Sequence, residues 1–285
     1  MKVLGTGLNG LVGSRIVELL NDYEFENLSL ETGIDITDYD TVKRHIANSD
    51  APWILHMAAF TDVDKAELDR VNGQGGLVWR VNAQASGDIA KIAGEYSKRV
   101  LYLSTDYVFA GDNDTYTETD TPNPLGWYGI TKYEGELRVM VASDKNVVVR
   151  TANPYRAVYG GKKDFVHAIA ERLIRNQTVF APTDQIFVPT FIDDIATAIT
   201  FIFNSEMAGI YHAVGPDVLS PYQAARAICH ALEKDQALVR ETTFSVYFRN
   251  RAPRPLRANL KNDKMAKSGI KFTPFTEGLG QVIFR

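Results

Sequence analysis

The sequence has one cysteine, Cys229, among its 285 residues, and it contains neither a CxxC nor an HExxH motif. An internal disulfide is therefore excluded, and no thiol or histidine pattern supports a metal site. The longest nearly apolar stretch, residues 195–203, is far shorter than the roughly 18 residues of a membrane span, so we expect no membrane partner. Because no apolar signal region precedes the first glycines, we also expect a cytoplasmic protein.

An excess of charge of one sign is lacking as well. The chain has 31 Lys+Arg against 35 Asp+Glu, a formal net charge of −4. A general nucleic-acid binder would normally carry a basic surface, so we expect no nucleic-acid partner. The composition, 45% hydrophobic and 23% charged, is that of an ordinary soluble globular protein with room for one or two domains.

In the first half of the chain, short apolar runs alternate with amphipathic segments, which predicts strand–helix–strand units and a parallel sheet. We expect strands at residues 2–6, 27–31, 53–58, 100–104 and 146–150, and helices at residues 10–21, 37–47, 77–96, 128–142, 165–176, 191–204 and 221–233. The predicted fold class is therefore α/β, with a Rossmann-type doubly wound parallel sheet and a smaller mixed α/β C-terminal domain.

A division into two units follows from this alternation. Residues 1–150 are expected to form a nucleotide-binding domain, to which residues 190–205 return. Residues 151–285 are expected to form the substrate-binding domain. Residues 110–127 are rich in Asp, Thr, Pro and Gly, and they should form a long loop above the sheet.

A glycine-rich turn, residues 7–13, directly follows the first predicted strand. Its glycines allow a tight turn and a close approach of the backbone to a pyrophosphate, while the following helix supplies amide donors and a positive dipole end. The spacing is GxxGxxG rather than GxGxxG. The same glycines could also serve only as a tight connection, but their position after an N-terminal strand favours a nucleotide site.

An acidic residue, Glu31, follows Gly13 by eighteen positions, at the predicted end of the second strand. A carboxylate there accepts hydrogen bonds from an adenosine ribose and repels a 2′-phosphate, which favours NAD(H) slightly over NADP(H). A solvated glutamate at a strand end is the alternative. Asp35 and Ile36 follow closely and could contact the adenine.

Tyr128 and Lys132 are four residues apart on a predicted helix, so the ammonium group can stabilise a phenolate. The spacing by itself is weak evidence, because it recurs in Tyr39/Lys43 and Tyr159/Lys163. The context is more specific, since Thr105 ends a predicted strand before the long loop that leads to Tyr128. Ligands of parallel sheets bind beyond such strand ends, so these three side chains should meet around one nicotinamide.

Together these motifs resemble the extended short-chain dehydrogenase/reductases, and within them the dTDP-4-dehydrorhamnose reductase branch. The segments that carry the resemblance are residues 7–13, 56–67, 81–83, 104–109 (STDYVF), 116–124, 128–132 (YGITK), 209–212 and 254–255. They extend over nearly the whole chain. The combination of STDYVF with YGxTK is specific for this branch, whereas the glycine pattern is shared with many other enzymes.

The resemblance implies NAD(P)H-dependent reduction of a 4-keto sugar joined to a nucleoside diphosphate. It implies that Tyr128 is the general acid, that Lys132 lowers its pKa and holds the nicotinamide ribose, and that Thr105 hydrogen-bonds the carbonyl oxygen. The implied cofactor contacts are Gly7, Asn9, Gly10, Leu11, Val12, Asp35, Ile36, Ala58, Ala59, Thr61 and Asn82, and the substrate side is Asp106, Tyr107 and Arg254. The resemblance also suggests a homodimer.

One departure weakens the rhamnose assignment. Asn153 stands where the family usually has a tryptophan, so a small polar group replaces a stacking surface near the expected sugar site. Two alternatives remain open. An epimerase or dehydratase of the same superfamily would retain its NAD, although Asp106 is the only obvious extra acid that a dehydratase could use. A non-catalytic, cofactor-binding regulatory subunit would not need the Thr105, Tyr128 and Lys132 set.

Overall fold

The computed structural model describes residues 1–284. Its strands are β1 (Lys2–Thr6), β2 (Glu24–Leu28), β3 (Trp53–His56), β4 (Arg99–Thr105), β5 (Val147–Thr151), β6 (Pro154–Tyr155), β7 (Val179–Pro182), β8 (Thr190–Phe191), β9 (Gly209–His212) and β10 (Val239–Thr242). Its helices are α1 (Leu11–Leu19), α2 (Tyr39–Asn48), α3 (Val63–Asp69), α4 (Leu77–Trp79), α5 (Ala85–Glu95), α6 (Trp127–Ala142), α7 (Phe165–Ile174), α8 (Ile192–Phe203), α9 (Pro221–Ala231), α10 (Phe244–Tyr247), α11 (Asp263–Ala266) and α12 (Phe275–Gly280).

Six parallel strands form the central sheet, in the order β2-β1-β3-β4-β5-β9. The central strands are buried on both faces by helices, which is why β5 contains three consecutive valines. The chain leaves β1 for β2 on one side and returns to β3 on the other, so the strand order reverses at β1. The predicted α/β class with a doubly wound parallel sheet is confirmed.

The second strand differs from its prediction at residues 27–31. It forms earlier, at β2, where Glu24 and Glu26 are exposed and Leu28 is buried. This is an edge strand with one polar face, and its register is fixed by pairing with β1 rather than by an apolar run. Glu31 therefore lies in a short 3₁₀ turn, Leu30–Thr32, after the strand and not at its end.

The predicted helix at residues 77–96 is also interrupted. A π-helical turn, Arg80–Gln84, separates α4 from α5 and contains the fully buried Asn82. The other predicted helices and strands of the sequence pattern begin and end within two residues of the observed bounds. At α9 the side chain of Ser220 accepts from the backbone N–H of Gln223, whose own side chain accepts from the N–H of Ser220, a capping box that stops the helix from fraying.

The remaining four strands form two small sheets separate from the central one. Strands β7 and β10 form a parallel pair, and β6 pairs with β8. Helix α8 packs against the sheet, with Ile195 and Ile199 in the same apolar cluster as Val3 and Ile16. Strand β9 joins the sheet as well, so more of the C-terminal half contacts the first domain than residues 190–205. No helix within residues 1–284 combines the length and the apolar character needed to cross a membrane.

Candidate active site

A cleft of about 630 Å³ opens beyond the carboxyl ends of β1, β3 and β4. Parallel sheets bind ligands at this edge, where the strand order reverses. The cofactor residues predicted from the sequence that line this cleft are Gly7, Asn9, Gly10, Leu11, Val12, Glu31, Asp35, Ile36, Ala58, Ala59, Thr61, Tyr128 and Lys132. Four predicted substrate residues, Thr105, Asp106, Tyr107 and Asn153, line it too. Distant parts of the sequence thus meet in one cavity.

The glycine turn has the shape that a dinucleotide pyrophosphate requires. Gly7 has φ +70°, and a Cβ at this position would lie 2.5 Å from the backbone N of Ala58. Gly10, which has no side chain, is the N-cap of α1, and the first turn of that helix contains no acidic residue. The amide groups at the start of α1 therefore face the cleft without competition from a carboxylate. The residues of the glycine turn therefore fit the pyrophosphate of a dinucleotide.

Glu31 is held from one side by the glycine turn. Its Oε2 accepts a hydrogen bond from Asn9 Nδ2, and Asn9 Oδ1 accepts one from Asn27 Nδ2 at 3.0 Å. Asp35 is turned back on its own chain, since its Oδ1 accepts from the N–H of Thr37 at 2.8 Å. Glu31 is consequently the oriented carboxylate at this end of the cleft.

Tyr128 lies in the first turn of α6, beside the end of β4. Its ring meets that of Tyr107 edge-on, with centroids 5.5 Å apart. Burial raises the pKa of the Tyr128 phenol, and hydrogen bonding with Thr105 opposes the rise. The sequence predicts the opposite direction, a pKa lowered by Lys132. Burial is the largest cause here, so the phenol stays protonated at neutral pH, as a proton donor must.

Lys132 is almost fully buried one turn further along α6. Its Nζ donates to the carbonyl oxygen of Leu103 at 2.8 Å and lies 3.9 Å from the centroid of the Tyr102 ring. Burial lowers the pKa of Lys132 to about 7, while the nearby carboxylate of Glu136 opposes the shift. The ammonium is thus directed at the strand end, beneath the cleft.

Thr105 and Asp106 form a hydrogen-bonded pair at the junction of β4 and the loop that follows. Thr105 Oγ1 donates to Asp106 Oδ1 at 3.1 Å and accepts from the N–H of Tyr107 at 3.3 Å. Burial raises the pKa of Asp106 to about 7, and the hydrogen bond from Thr105 opposes the rise. A carboxyl group that is half-protonated at neutral pH can both donate and accept hydrogen bonds.

This burial has a measurable effect on stability. Because the folded pKa of Asp106, about 7, exceeds the ordinary value of about 3.9, the folded state binds more protons than the unfolded state between these pH values. We expect the free energy of unfolding of the wild type, relative to Asp106→Asn, to fall as pH rises from about 4 to 7. Urea denaturation of both proteins across this range tests the expectation, and parallel pH profiles would contradict it.

A second cavity, of about 260 Å³, adjoins the cleft and shares Asp106, Tyr107 and Asn153 with it. Its walls are mostly apolar and aromatic. The lining residues to which the sequence analysis gave no role include Phe165, Phe180, Phe187, Tyr247, Phe248 and Gln185. Tyr247 is the last residue of the short helix α10 and Phe248 follows it, and no sequence motif identifies either residue.

Arg254 and Asn153, two of the predicted substrate residues, line this second cavity, and both also have local roles. Arg254 Nη2 is 2.8 Å from Asp64 Oδ1, its Nη1 donates to the carbonyl of Ala252 at 2.7 Å, and its guanidinium lies 4.9 Å from the Phe248 ring centroid. Asn153 has φ +44°, in the left-handed region that Asn adopts more readily than most side chains. The replacement of tryptophan by asparagine therefore suits the backbone as well as the cavity.

Asn82 is the one predicted cofactor residue that does not line the cleft. It is fully buried in the π-helical turn, where its Oδ1 accepts from the N–H of Phe60 at 2.7 Å and its Nδ2 donates to Thr131 Oγ1 at 3.1 Å. The side chain thus joins the loop after β3 to helix α6. Both ends of the amide are used by the protein itself, and the predicted contact of Asn82 with the cofactor stays a prediction.

Several residues of the cleft were missed by sequence reasoning. Met57, Leu103 and Thr151 line it through strand ends and carry no sequence signal. Lys162 also lines it, directly after Gly160 and Gly161. A basic residue beside two glycines is the one signal that could have identified this segment.

Known proteins resemble this chain over most of its length. The family described as RmlD substrate binding domain matches residues 1–285. A dTDP-4-dehydrorhamnose reductase of Mycolicibacterium smegmatis is 33% identical over 273 residues, which cover 94% of this chain and 80% of the relative. The methionine adenosyltransferase 2 subunit beta of Mus musculus is 28% identical over 303 residues, covering 99% and 87% of the two chains.

A solved structure agrees with these similarities. The crystal structure of dTDP-4-dehydrorhamnose reductase from Bacillus anthracis in complex with NADP superposes with a TM-score of 0.88 at 27% identity. The match covers 98% of this chain and 96% of the other.

Proposed function

Because this chain belongs to the family described as RmlD substrate binding domain, we propose that it is an NAD(P)H-dependent oxidoreductase that reduces the 4-keto group of a 4-keto-6-deoxy sugar nucleotide. The observation that carries the proposal is the convergence of Thr105, Tyr128 and Lys132 in one cleft with the glycine turn. These are the groups that a carbonyl reduction requires: a proton donor, a hydrogen bond to the carbonyl oxygen and a cation.

The proposed chemistry divides between cofactor and protein. When bound, the reduced nicotinamide supplies the hydride that adds to the sugar carbonyl carbon. Tyr128 would donate its phenolic proton to the oxygen as negative charge develops there, and the Thr105 hydroxyl would turn from Asp106 Oδ1 to donate a hydrogen bond to the same oxygen. Lys132, one helical turn after Tyr128 and also lining the cleft, would stabilise the phenolate that remains after proton transfer.

The sugar nucleotide would lie across both cavities. We assign the keto sugar to the junction formed by Asp106, Tyr107 and Asn153, and the nucleoside to the aromatic cavity beyond it. The Asn153 amide would hydrogen-bond a sugar hydroxyl where a tryptophan would stack. Arg254, which also lines the aromatic cavity, would meet the diphosphate of the sugar nucleotide.

The test is a nicotinamide oxidation assay on the purified protein. NADH and NADPH are each followed by absorbance, with and without a dTDP-4-keto-6-deoxy sugar. Oxidation that depends on the sugar nucleotide supports the reductase. A protein that binds a nicotinamide cofactor but consumes none with any keto-sugar nucleotide would not be this reductase.

Glu31 should favour NADH over NADPH, because the oriented carboxylate repels a 2′-phosphate. We expect Glu31→Ala to improve the NADPH-to-NADH ratio of kcat/KM by about tenfold, the size of one like-charge repulsion near a surface. Glu24→Ala is the matched control, since Glu24 is an exposed carboxylate on β2 outside the cleft. Equal ratios in wild type and Glu31→Ala would remove this basis for NADH preference.

A cofactor-binding subunit is the second candidate. The similarity to a protein named as a subunit of methionine adenosyltransferase favours it. Cofactor binding without turnover, together with a stable complex with another enzyme, would support it over the reductase.

For the reductase we propose a homodimer in the cytoplasm, and light scattering on the purified protein tests the dimer.

A further inference from the structure

Lys162 lies in the cofactor cleft, yet it belongs to the C-terminal half of the chain. It is exposed, and no hydrogen bond or ion pair of its ammonium is found within residues 1–284. Its neighbour Lys163 is different, since the Lys163 ammonium lies 2.5 Å from Glu171 Oε2. Of two consecutive lysines, one is thus bound to α7 and the other is presented to the cleft.

The charged side chains that line the cleft indicate what Lys162 can bind. Among the described residues that line it, the acidic side chains are Glu31, Asp35 and Asp106, and the basic ones are Lys132 and Lys162. Lys132 is buried and bonded to the Leu103 carbonyl. Lys162 therefore remains as the basic side chain that can neutralise a phosphate group in the cleft, which the residues at the positive end of the α1 dipole also line.

The loop that carries Lys162, residues 156–164 between β6 and α7, is fixed against α1. Arg156, only 1% exposed, donates from Nη1 to Ser14 Oγ at 2.9 Å and from Nη2 to Glu18 Oε1 at 2.8 Å. The base of the loop is closed, because the N–H of Arg156 donates to Asp164 Oδ2 at 3.1 Å. The loop thus begins and ends beside the helix whose N-terminus faces the cleft.

The tip of the loop retains local freedom. Gly161 has φ +88°, and a Cβ there would contact nothing within 4 Å. The Tyr159 hydroxyl donates to the Gly161 carbonyl at 2.8 Å and restrains this turn. Two glycines before a lysine let its ammonium move between solvent and the cleft while the anchored base stays in place.

We propose that Lys162 binds the diphosphate of the nicotinamide cofactor, so that the C-terminal half of the chain supplies a cofactor ligand opposite the glycine turn. This assignment rests on the proposed function, since it requires a dinucleotide in the cleft. The ammonium pairs with diphosphate oxygens and not with a 2′-phosphate, because its loop is anchored on α1, whereas Glu31 and Asp35 occupy the adenosine end. The loop acts as a strap over the bound cofactor.

The experiment measures cofactor binding separately from turnover. Dissociation constants for NADH, NADPH and ADP-ribose are determined by fluorescence titration and calorimetry at several salt concentrations. We compare Lys162→Ala, Lys162→Arg and the control Lys163→Ala, with melting temperatures recorded for each. We expect Lys162→Ala to weaken all three ligands about tenfold, with a shallower salt dependence, because one charge-assisted hydrogen bond is lost. Lys162→Arg should restore binding, and Lys163→Ala should stay within about twofold of wild type, since its cation faces α7.

The outcomes separate this inference from the proposed function. Wild-type-like affinities and salt slopes in Lys162→Ala, with normal turnover, would overturn the role of Lys162 and leave the reductase intact. A loss confined to NADPH would overturn the diphosphate assignment, since it would indicate a 2′-phosphate contact. A wild type that binds none of the three ligands would overturn both.

Discussion

Tyr128→Phe should lower kcat about a thousandfold, since removal of a positioned general acid costs roughly 10²- to 10⁴-fold. The phenol is the half-buried donor beside Thr105, and its raised pKa keeps the proton available throughout the neutral range. The dissociation constant for the cofactor should change little, because the Phe ring keeps its packing against Tyr107. Single-turnover oxidation of the bound nicotinamide, monitored by stopped-flow absorbance, measures the chemical step directly.

A matched control comes from the chain itself. Tyr39 and Lys43 have the same four-residue spacing on α2, with the Lys43 ammonium 6.0 Å from the Tyr39 ring centroid, but they lie outside the cleft. Tyr39→Phe should leave kcat unchanged. Full activity in Tyr128→Phe would refute the mechanism, and equal losses in the two variants would attribute the effect to stability rather than to proton transfer.

Arg150→Met should lower the free energy of unfolding by about 3–5 kcal/mol, the usual cost of leaving one partner of a buried ion pair without the other. Arg150 Nη2 lies 2.7 Å from Glu136 Oε2, and the two side chains are 1% and 2% exposed. The pair joins α6 to β5, one helical turn beyond Lys132. Urea denaturation monitored by fluorescence and circular dichroism gives the difference.

Two further variants identify the cause of this loss. In Glu136→Leu combined with Arg150→Met neither charge of the pair remains, so we expect most of the stability to return. Lys43→Met removes an exposed pair of similar length, 2.8 Å to Glu95, and should cost less than about 1 kcal/mol. If Arg150→Met cost no more than Lys43→Met, the buried pair would not be what stabilises this junction.

Local signals account for the predicted site residues that the structure brings into one cleft. The glycine turn follows β1 at once, so its place at a strand end depends on neighbouring residues alone. Tyr128 and Lys132 share a face because helical periodicity fixes it, and Thr105 ends a strand whose apolar run is visible in the sequence. Parallel sheets then bring such strand ends together at one edge.

Other features depend on partners that are distant in sequence. The start of β2 is set by its register with β1, and the shift moved Glu31 from a strand end into a turn. Asn82 points inward because Phe60 and Thr131 offer partners for its amide. The aromatic wall of the second cavity combines segments such as Phe165 and Tyr247, whose proximity no local pattern encodes.

The sequence by itself determined the types of chemical group and their local spacing: a glycine turn for phosphates, a tyrosine and a lysine on one helical face, and a hydroxyl at a strand end. The tertiary structure decided their protonation and their partners. Burial sets the pKa of Tyr128 high and that of Lys132 near 7, opposite to the simple expectation for Tyr128. The tertiary structure also brought Lys162 into the cleft. The physical reason is that desolvation and long-range contact depend on every element packed around a group, whereas periodicity and turn geometry depend on its neighbours in the chain.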